Sequence, residues 1–173
     1  MTVVRASRYH QFDTYWSFAD PAQGRLRYRE DEFLDEAGTV TGARTRLTLT
    51  GRTREETFGA VLLSRSRYLA PALHSARFYR EYFRPAAEHV IEKQRRRWLV
   101  AYHGVEFYLH LDCLLNPPTE GFFLEVKSRT WSRRDARDKA AVITELLARF
   151  GASPDDTLSD GYVELVAGTD RPA

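Results

Sequence analysis

Arginine and lysine recur on every second residue in two strand-like stretches of this chain: Arg25, Arg27 and Arg29 in GRLRYRED, and Lys93, Arg95 and Arg97 in EKQRRRWLV. A strand sends alternate side chains to opposite faces, so each trio points one way. Cations crowded on one face repel one another unless that face surrounds something strongly anionic, such as a polyphosphate. The chain must therefore build a sheet that finds a use for these faces.

The other patterns agree with a sheet. Residues 9–16, 25–31, 44–50, 57–63, 93–102, 105–112 and 122–128 read as strands, and 162–166 as a short terminal one. Turn material separates several of them: DPAQG, DEAGTVTG, the His103-Gly104 pair and NPPTEG. Two helices are expected, one over 70–82 and one over 132–150. The second has Ser132 as N-cap, with Asp135 in capping-box position. Ala136, Ala140, Ile143, Leu146 and Leu147 then recur at helical spacing, and Gly151 stops the helix. With 173 residues, 43% of them hydrophobic, the chain reads as a single α+β domain. Its antiparallel meander is of a kind that closes into barrels.

The strands share a two-faced pattern. Arg44, Arg46, Thr48 and Thr50 lie opposite Thr45, Leu47 and Leu49. Glu106, Tyr108, His110 and Asp112 lie opposite Phe107, Leu109 and Leu111, and Phe123, Glu125, Lys127 and Arg129 lie opposite Phe122, Leu124 and Val126. A sheet with one face in water accounts for any one such strand. Repetition over many strands, with both signs of charge, points instead to charged faces turned inward around a polar tunnel. There the cations would hold phosphate oxygens, and Asp112 and Glu125 would hold a divalent ion, which prefers hard oxygen ligands.

Composition narrows the setting. The net charge of +2 rules out a broadly basic nucleic-acid coat, so nucleic acid is not the expected partner and any cationic site is local. Cys113 is the only cysteine, which excludes an intrachain disulfide and fits a cytoplasmic location. No apolar run approaches the roughly 20 residues that span a bilayer, and the N-terminus has no secretory pattern. His10, His74 and His89 have no zinc-ligand spacing with one another or with Cys113. His103 reads as a turn residue, Cys113 as core, and Arg133, Arg134 and Arg137 as a solvated helix start. His110 shares a face with Asp112, where an acid–base role is open to it. Neither a P-loop nor a Rossmann phosphate motif is present.

In order along the chain, QFDTYW (11–16), RLRYRE (25–30), RLTLTGRTREE (46–56), EKQRRRW (92–98), VEFYLHLD (105–112), FFLEVKS (122–128) and GYVELV (161–166) resemble the strands of the CYTH, or triphosphate tunnel metalloenzyme, superfamily. That group includes thiamine triphosphatases, inorganic triphosphatases and class IV adenylate cyclases. The resemblance implies an eight-stranded antiparallel β-barrel tunnel with helices packed outside. It implies that Arg27, Arg29, Arg46, Arg54, Lys93 and Arg95 bind triphosphate. It also implies that Asp112 and Glu125 are catalytic and, with Glu55, ligate Mg²⁺ or Mn²⁺. In the family's hydrolases the metal and carboxylates orient a water for in-line attack on the terminal phosphorus.

The sequence also departs from the family. The N-terminal E-x-E-x-K strand is not found; Thr50 stands where L-T-x-K-G has its lysine, and Lys127 where F-x-E-x-E has its second acid. The barrel is therefore expected to be incomplete. Its missing strand would come from an upstream segment, a partner chain or a second copy, because open sheet edges invite association. The expected function is metal-dependent hydrolysis of inorganic or organic triphosphate. The alternatives are a class IV-type adenylate cyclase and a non-catalytic phosphate- or nucleotide-binding module.

Overall fold

The computed structural model describes residues 1–50, 56–58, 61–63, 67–158 and 161–169. Seven strands form one antiparallel sheet in the order β6-β3-β2-β1-β7-β8-β9. They are β1 (Thr2–Ser17), β2 (Arg25–Leu34), β3 (Val40–Thr50), β6 (Arg67–Pro71), β7 (Ala87–Tyr102), β8 (Val105–Asn116) and β9 (Phe123–Lys127). β4 (Glu56–Phe58) and β5 (Val61–Leu63) make a separate small hairpin where one strand, 57–63, is expected. The α+β class and the antiparallel meander hold. The sheet is not closed: among the described residues β6 and β9 are its two edges and do not pair with each other.

The hairpins follow their turn chemistry. His103 and Gly104 both adopt positive φ, 49° and 74°, the pair of left-handed residues that joins β7 to β8 with the right twist. The first and fifth long strands, β1 and β7, each have 16 residues and pair along nearly their full length. β1 is thus central to the sheet, with β2 on its other side.

Helices α1 (Ala76–Phe83) and α2 (Arg133–Arg149) cover the apolar face. Ser132 caps α2 as expected, its hydroxyl accepting the Asp135 amide at 3.1 Å. At the other end Gly151, at φ 81°, lets the Gly151 and Ala152 amides bond back to the Ala148 and Leu147 carbonyls. Ile143 and Leu146 pack on Val100, Phe107 and Leu109 of β7 and β8. On the other half, Tyr79 of α1 packs against Trp16, Leu26 and Tyr28. Burial is incomplete at the β9 edge, where Phe122 and Leu124 are exposed. Cys113, expected in the core, is only half-buried.

Two assignments are corrected. The helix expected over 70–82 begins at Ala76, and residues before it form β6, paired to β3. Pro71 explains the division: proline disfavours helical backbone at the residue before it, yet it is tolerated on an edge strand. The strand expected over 162–166 is a helix, α3 (Tyr162–Thr169). Three successive side chains of α3 take three different partners. Tyr162 donates to Asp112, Val163 packs on Ile91 and Leu114, and Glu164 pairs with Arg25 at 2.6 Å. Tertiary anchoring outweighs the β-propensity of Tyr-Val. α3 also sits on the opposite face from α1 and α2, so not all helices pack outside. It lies across one end of the charged face, from β2 to β8.

Leu146 is almost wholly buried between α2 and the sheet. Leu146→Ala should therefore lower unfolding free energy by about 2–5 kcal/mol, measured by urea denaturation.

Candidate anion-binding site

The structure brings the expected site residues in the described part to one face of the sheet. They are Arg27 and Arg29 on β2, Arg46 on β3, Lys93 and Arg95 on β7, Asp112 on β8 and Glu125 on β9. Register sets their neighbours. Asp13 lies opposite Arg29, which lies opposite Arg46; Gln11 lies between Asp31 and Lys93; Arg95 faces Asp112, and His110 faces Glu125. Arg54 and Glu55 lie outside the described residues.

Four carboxylates organise this face. Asp13 takes a two-pronged contact from Arg29, Nε and Nη2 each at 2.5 Å, and a bond from Lys93 Nζ at 2.8 Å. Asp31 accepts Arg44 Nη2 at 2.8 Å, Arg46 Nη2 at 2.7 Å and the Gln11 amide at 2.6 Å. Asp112 takes Arg95 in the same forked manner, Nε at 2.6 Å and Nη2 at 2.5 Å, with the Tyr162 hydroxyl at 2.7 Å. Glu125 pairs with Lys127 at 2.7 Å and His110 at 3.1 Å. Asp13, Asp31 and Asp112 are fully buried, and Arg29, Lys93 and Arg95 nearly so. Side chains of this length are buried on a sheet face only if the sheet curls about them or another element covers them. α3 supplies cover at one end, and strand twist supplies the curl.

Burial and charge oppose one another here. Burial pushes the Asp13 carboxyl up, but the Lys93 and Arg29 charges overcome it and hold Asp13 far below the usual carboxylate range. For Asp31, Asp112 and Glu125 burial likewise pushes up, and hydrogen bonds and cationic neighbours bring the net shift down. Burial lowers Lys93 to about 8, with Asp13 resisting the fall. His110 is lowered by burial, partly offset by its bond to Glu125.

In the cross-strand rows that carry these four carboxylates stand six cations: Arg29, Arg44, Arg46, Lys93, Arg95 and Arg97. In those rows positive charge is in excess by two, and Arg27 and Lys127 lie one row beyond them on the same face. Two donors are also unspent, because the Nε–H groups of Arg27 and Arg46 are buried without a hydrogen-bond partner in the protein, as is the Gln11 side-chain oxygen. A buried donor left unpaired costs about 1–3 kcal/mol. An anion on this face would satisfy both guanidinium groups.

The fit to a divalent metal is poor by comparison. Asp112 Oδ2 and Glu125 Oε2 both approach Arg95 Nη2, at 2.5 and 3.6 Å, so a guanidinium occupies the position between the two carboxylates that a bridging metal would take. Among the described residues, no three His, Cys, Asp or Glu side chains are grouped to hold a metal ion. The expected pair Asp112 and Glu125 is brought together, but around an arginine.

Several residues of the site were not singled out by the sequence reading: Asp13, Asp31, Gln11 and Tyr162; Arg44 was placed on the charged face but given no role in the site. Gln11 and Asp13 carried a usable signal, since they alternate with Tyr9 and Tyr15 on one face of β1. Tyr162 carried none, because its segment reads as a strand.

Asp13→Asn should leave Arg29 and Lys93 uncompensated and reduce stability at pH 7 by about 3–5 kcal/mol in urea unfolding. The four carboxylates have folded pKa values below their unfolded ones. Their contribution is thus complete above about pH 4 and is lost as pH falls from there toward the folded values. The wild-type chain should weaken steeply over that window, and Asp13→Asn less steeply.

No protein-family model matches the chain, and no curated protein matches it. Among solved structures the chain is similar to the PH1819 protein from Pyrococcus horikoshii OT3, with a TM-score of 0.69 and 16% identity over 95% of this chain and 86% of that one. No helix among the described residues is long and apolar enough to cross a membrane. At this identity the similarity shows a shared fold.

Proposed function

We propose that this chain is a triphosphate-binding protein of the CYTH, or triphosphate tunnel, type, and that its cationic face holds the phosphates. The observation that carries this reading is the excess of cations over carboxylates on this face, together with the unpaired Nε–H groups of Arg27 and Arg46. Charge-assisted bonds from guanidinium to phosphate are the strong and geometrically selective kind. Arg27 and Arg46 offer free donors. Arg29, Lys93 and Arg95, fixed by Asp13 and Asp112, supply a preset positive potential that needs no rearrangement. A closed tunnel is the fuller form of this proposal, with a further strand from an upstream segment, a partner chain or a second copy joining the β6 and β9 edges.

Metal-dependent hydrolysis of inorganic or organic triphosphate is the reaction to test first, with class IV-type cyclisation beside it. Binding rests on the geometry, whereas turnover rests on the sequence resemblance. The ion pairing of Asp112 with Arg95, and of Glu125 with Lys127, favours a second reading in which the face binds a triphosphate and leaves it intact.

Tripolyphosphate should bind by titration calorimetry; Arg27→Ala should weaken it about tenfold or more without lowering the melting temperature, and Arg46→Ala should weaken it while also lowering the melting temperature, because it takes one partner from the buried Asp31. Affinity should fall as pH rises through about 8, where Lys93 loses its proton, and binding should take up protons there because a bound anion favours the charged lysine. Absence of binding to the wild-type chain would overturn the reading. Phosphate release from tripolyphosphate and ATP, with Mg²⁺ or Mn²⁺ against EDTA and with cyclic AMP measured in parallel, separates the reactions. Release that Asp112→Asn and Glu125→Gln abolish marks a hydrolase; binding without release marks the non-catalytic form.

A further inference from the structure

The four carboxylates of the cationic face are each committed to a cation. Asp13 holds Arg29 and Lys93, Asp31 holds Arg44 and Arg46, Asp112 holds Arg95, and Glu125 holds Lys127. A carboxylate so engaged is a poor ligand for a metal and a poor base for a water. One nitrogen of the face is not spent in this way. His110 stands on β8, opposite Arg97 on β7 and opposite Glu125 on β9, and is only 7% exposed. Its Nδ1 lies 3.1 Å from Glu125 Oε2, the same oxygen that Arg95 Nη2 approaches to 3.6 Å. Its Nε2 has no hydrogen-bond partner among the described residues.

An imidazole whose Nδ1–H donates to a carboxylate carries the lone pair of its neutral form on Nε2. The same carboxylate fixes the direction of the ring and stabilises the positive ring that forms when the second nitrogen makes a bond. Cations stand around that lone pair. Arg95 and Lys127 both approach Glu125, and Arg97 is the direct cross-strand neighbour of His110. A nitrogen nucleophile in water attacks a triphosphate against the shielding of the phosphate charge. Here guanidinium and ammonium groups meet the phosphoryl oxygens, and such positioning and charge neutralisation are nearly all that a protein gives to phosphoryl transfer.

We infer that His110 is a phosphoryl acceptor: its Nε2 attacks the terminal phosphorus of a triphosphate bound on this face and holds the phosphoryl group as a phosphohistidine. This inference rests on the triphosphate-binding reading above and adds a covalent step that needs no metal bridging Asp112 and Glu125. The Nε2–P bond forms as the bond from that phosphorus to its bridging oxygen breaks, and the electron pair of the broken bond leaves with diphosphate. The ring becomes positive and keeps its Nδ1–H on Glu125. A water then makes the new P–O bond, the pair of the N–P bond returns to Nε2, and both protons of the water leave with the phosphate.

The test incubates the full chain with radiolabelled tripolyphosphate in EDTA and quenches in alkali. The chain should keep the label in alkali and lose it in mild acid, as a phosphohistidine does, and tandem mass spectrometry should place it on His110. His110→Asn should carry less than about a tenth of the label, and Glu125→Gln should slow labelling about tenfold or more. Radiolabelled diphosphate should also exchange into tripolyphosphate, which reports the first step even when the phosphoenzyme breaks down faster than it forms. Calorimetry with tripolyphosphate on the wild-type chain keeps the two readings apart. Binding with neither label nor exchange overturns the nucleophile and leaves the triphosphate reading standing, and so does a label that maps to another residue. Phosphate release in EDTA with neither label nor exchange marks direct attack by water and overturns it too. No binding overturns both readings. The label on the wild-type chain and its mapped position decide the question even if His110→Asn fails to fold.

Discussion

A single buried carboxylate ties the two halves of this sheet together. Asp13 stands on β1, the strand that β2 flanks on one side and β7 on the other, and it accepts Arg29 from the first and Lys93 from the second. Either cation alone would be costly to bury, because removing a charge from water is repaid only by close opposite charge and good hydrogen bonding. Asp13 supplies both, in a forked contact and a short lysine bond. The same device is repeated on each side. Asp31 holds Arg44 and Arg46 on the β2–β3 half, and Asp112 holds Arg95 on the β7–β8 half. A row of internal counterions thus lets a cationic face exist at all, and leaves it positive by an amount a compact polyanion can answer.

The two faces of the sheet divide the work. Buried ion pairs rarely add net stability over apolar groups of similar size. The outer face must supply it, through Trp16, Tyr28 and Tyr79 on one half and Val100, Phe107 and Leu146 on the other. The inner face supplies position. A ligand that binds there meets guanidinium groups already fixed in direction, so little side-chain freedom is lost on association. Substitutions on the outer face should act on folding and those on the inner face on recognition, with Asp13 the residue that belongs to both.

Much of this was legible in the alternation of the strands. Arg27 and Arg29, Lys93 and Arg95, and the apolar runs opposite them could be assigned to faces because a strand has a period of two and any error of register inverts every side chain. The capped helix α2 was legible for the same reason at a different period. Three things were not. The helical state of α3 depends on Asp112, Arg25 and Leu114, none of which is near it in sequence. The role of Arg95 between Asp112 and Glu125 depends on rotamers that no pattern encodes; a metal and a guanidinium ask for the same carboxylates. The degree of curl of the open sheet, whose incompleteness the missing first strand did announce, is a property of twist summed over all strands.

The central place of β1 has a consequence for how the chain is made. β1 leaves the ribosome before β2 and can pair with it once it emerges, but its other edge must wait for β7, which begins at Ala87. At about 5–20 residues per second, that wait is on the order of several seconds. Through it, one of the longest strands in the protein presents an unpaired edge, lined on one face by Trp16 and on the other by an Asp13 that has found Arg29 but not Lys93. The nascent chain is thus most exposed to mispairing at the strand on which its final architecture most depends.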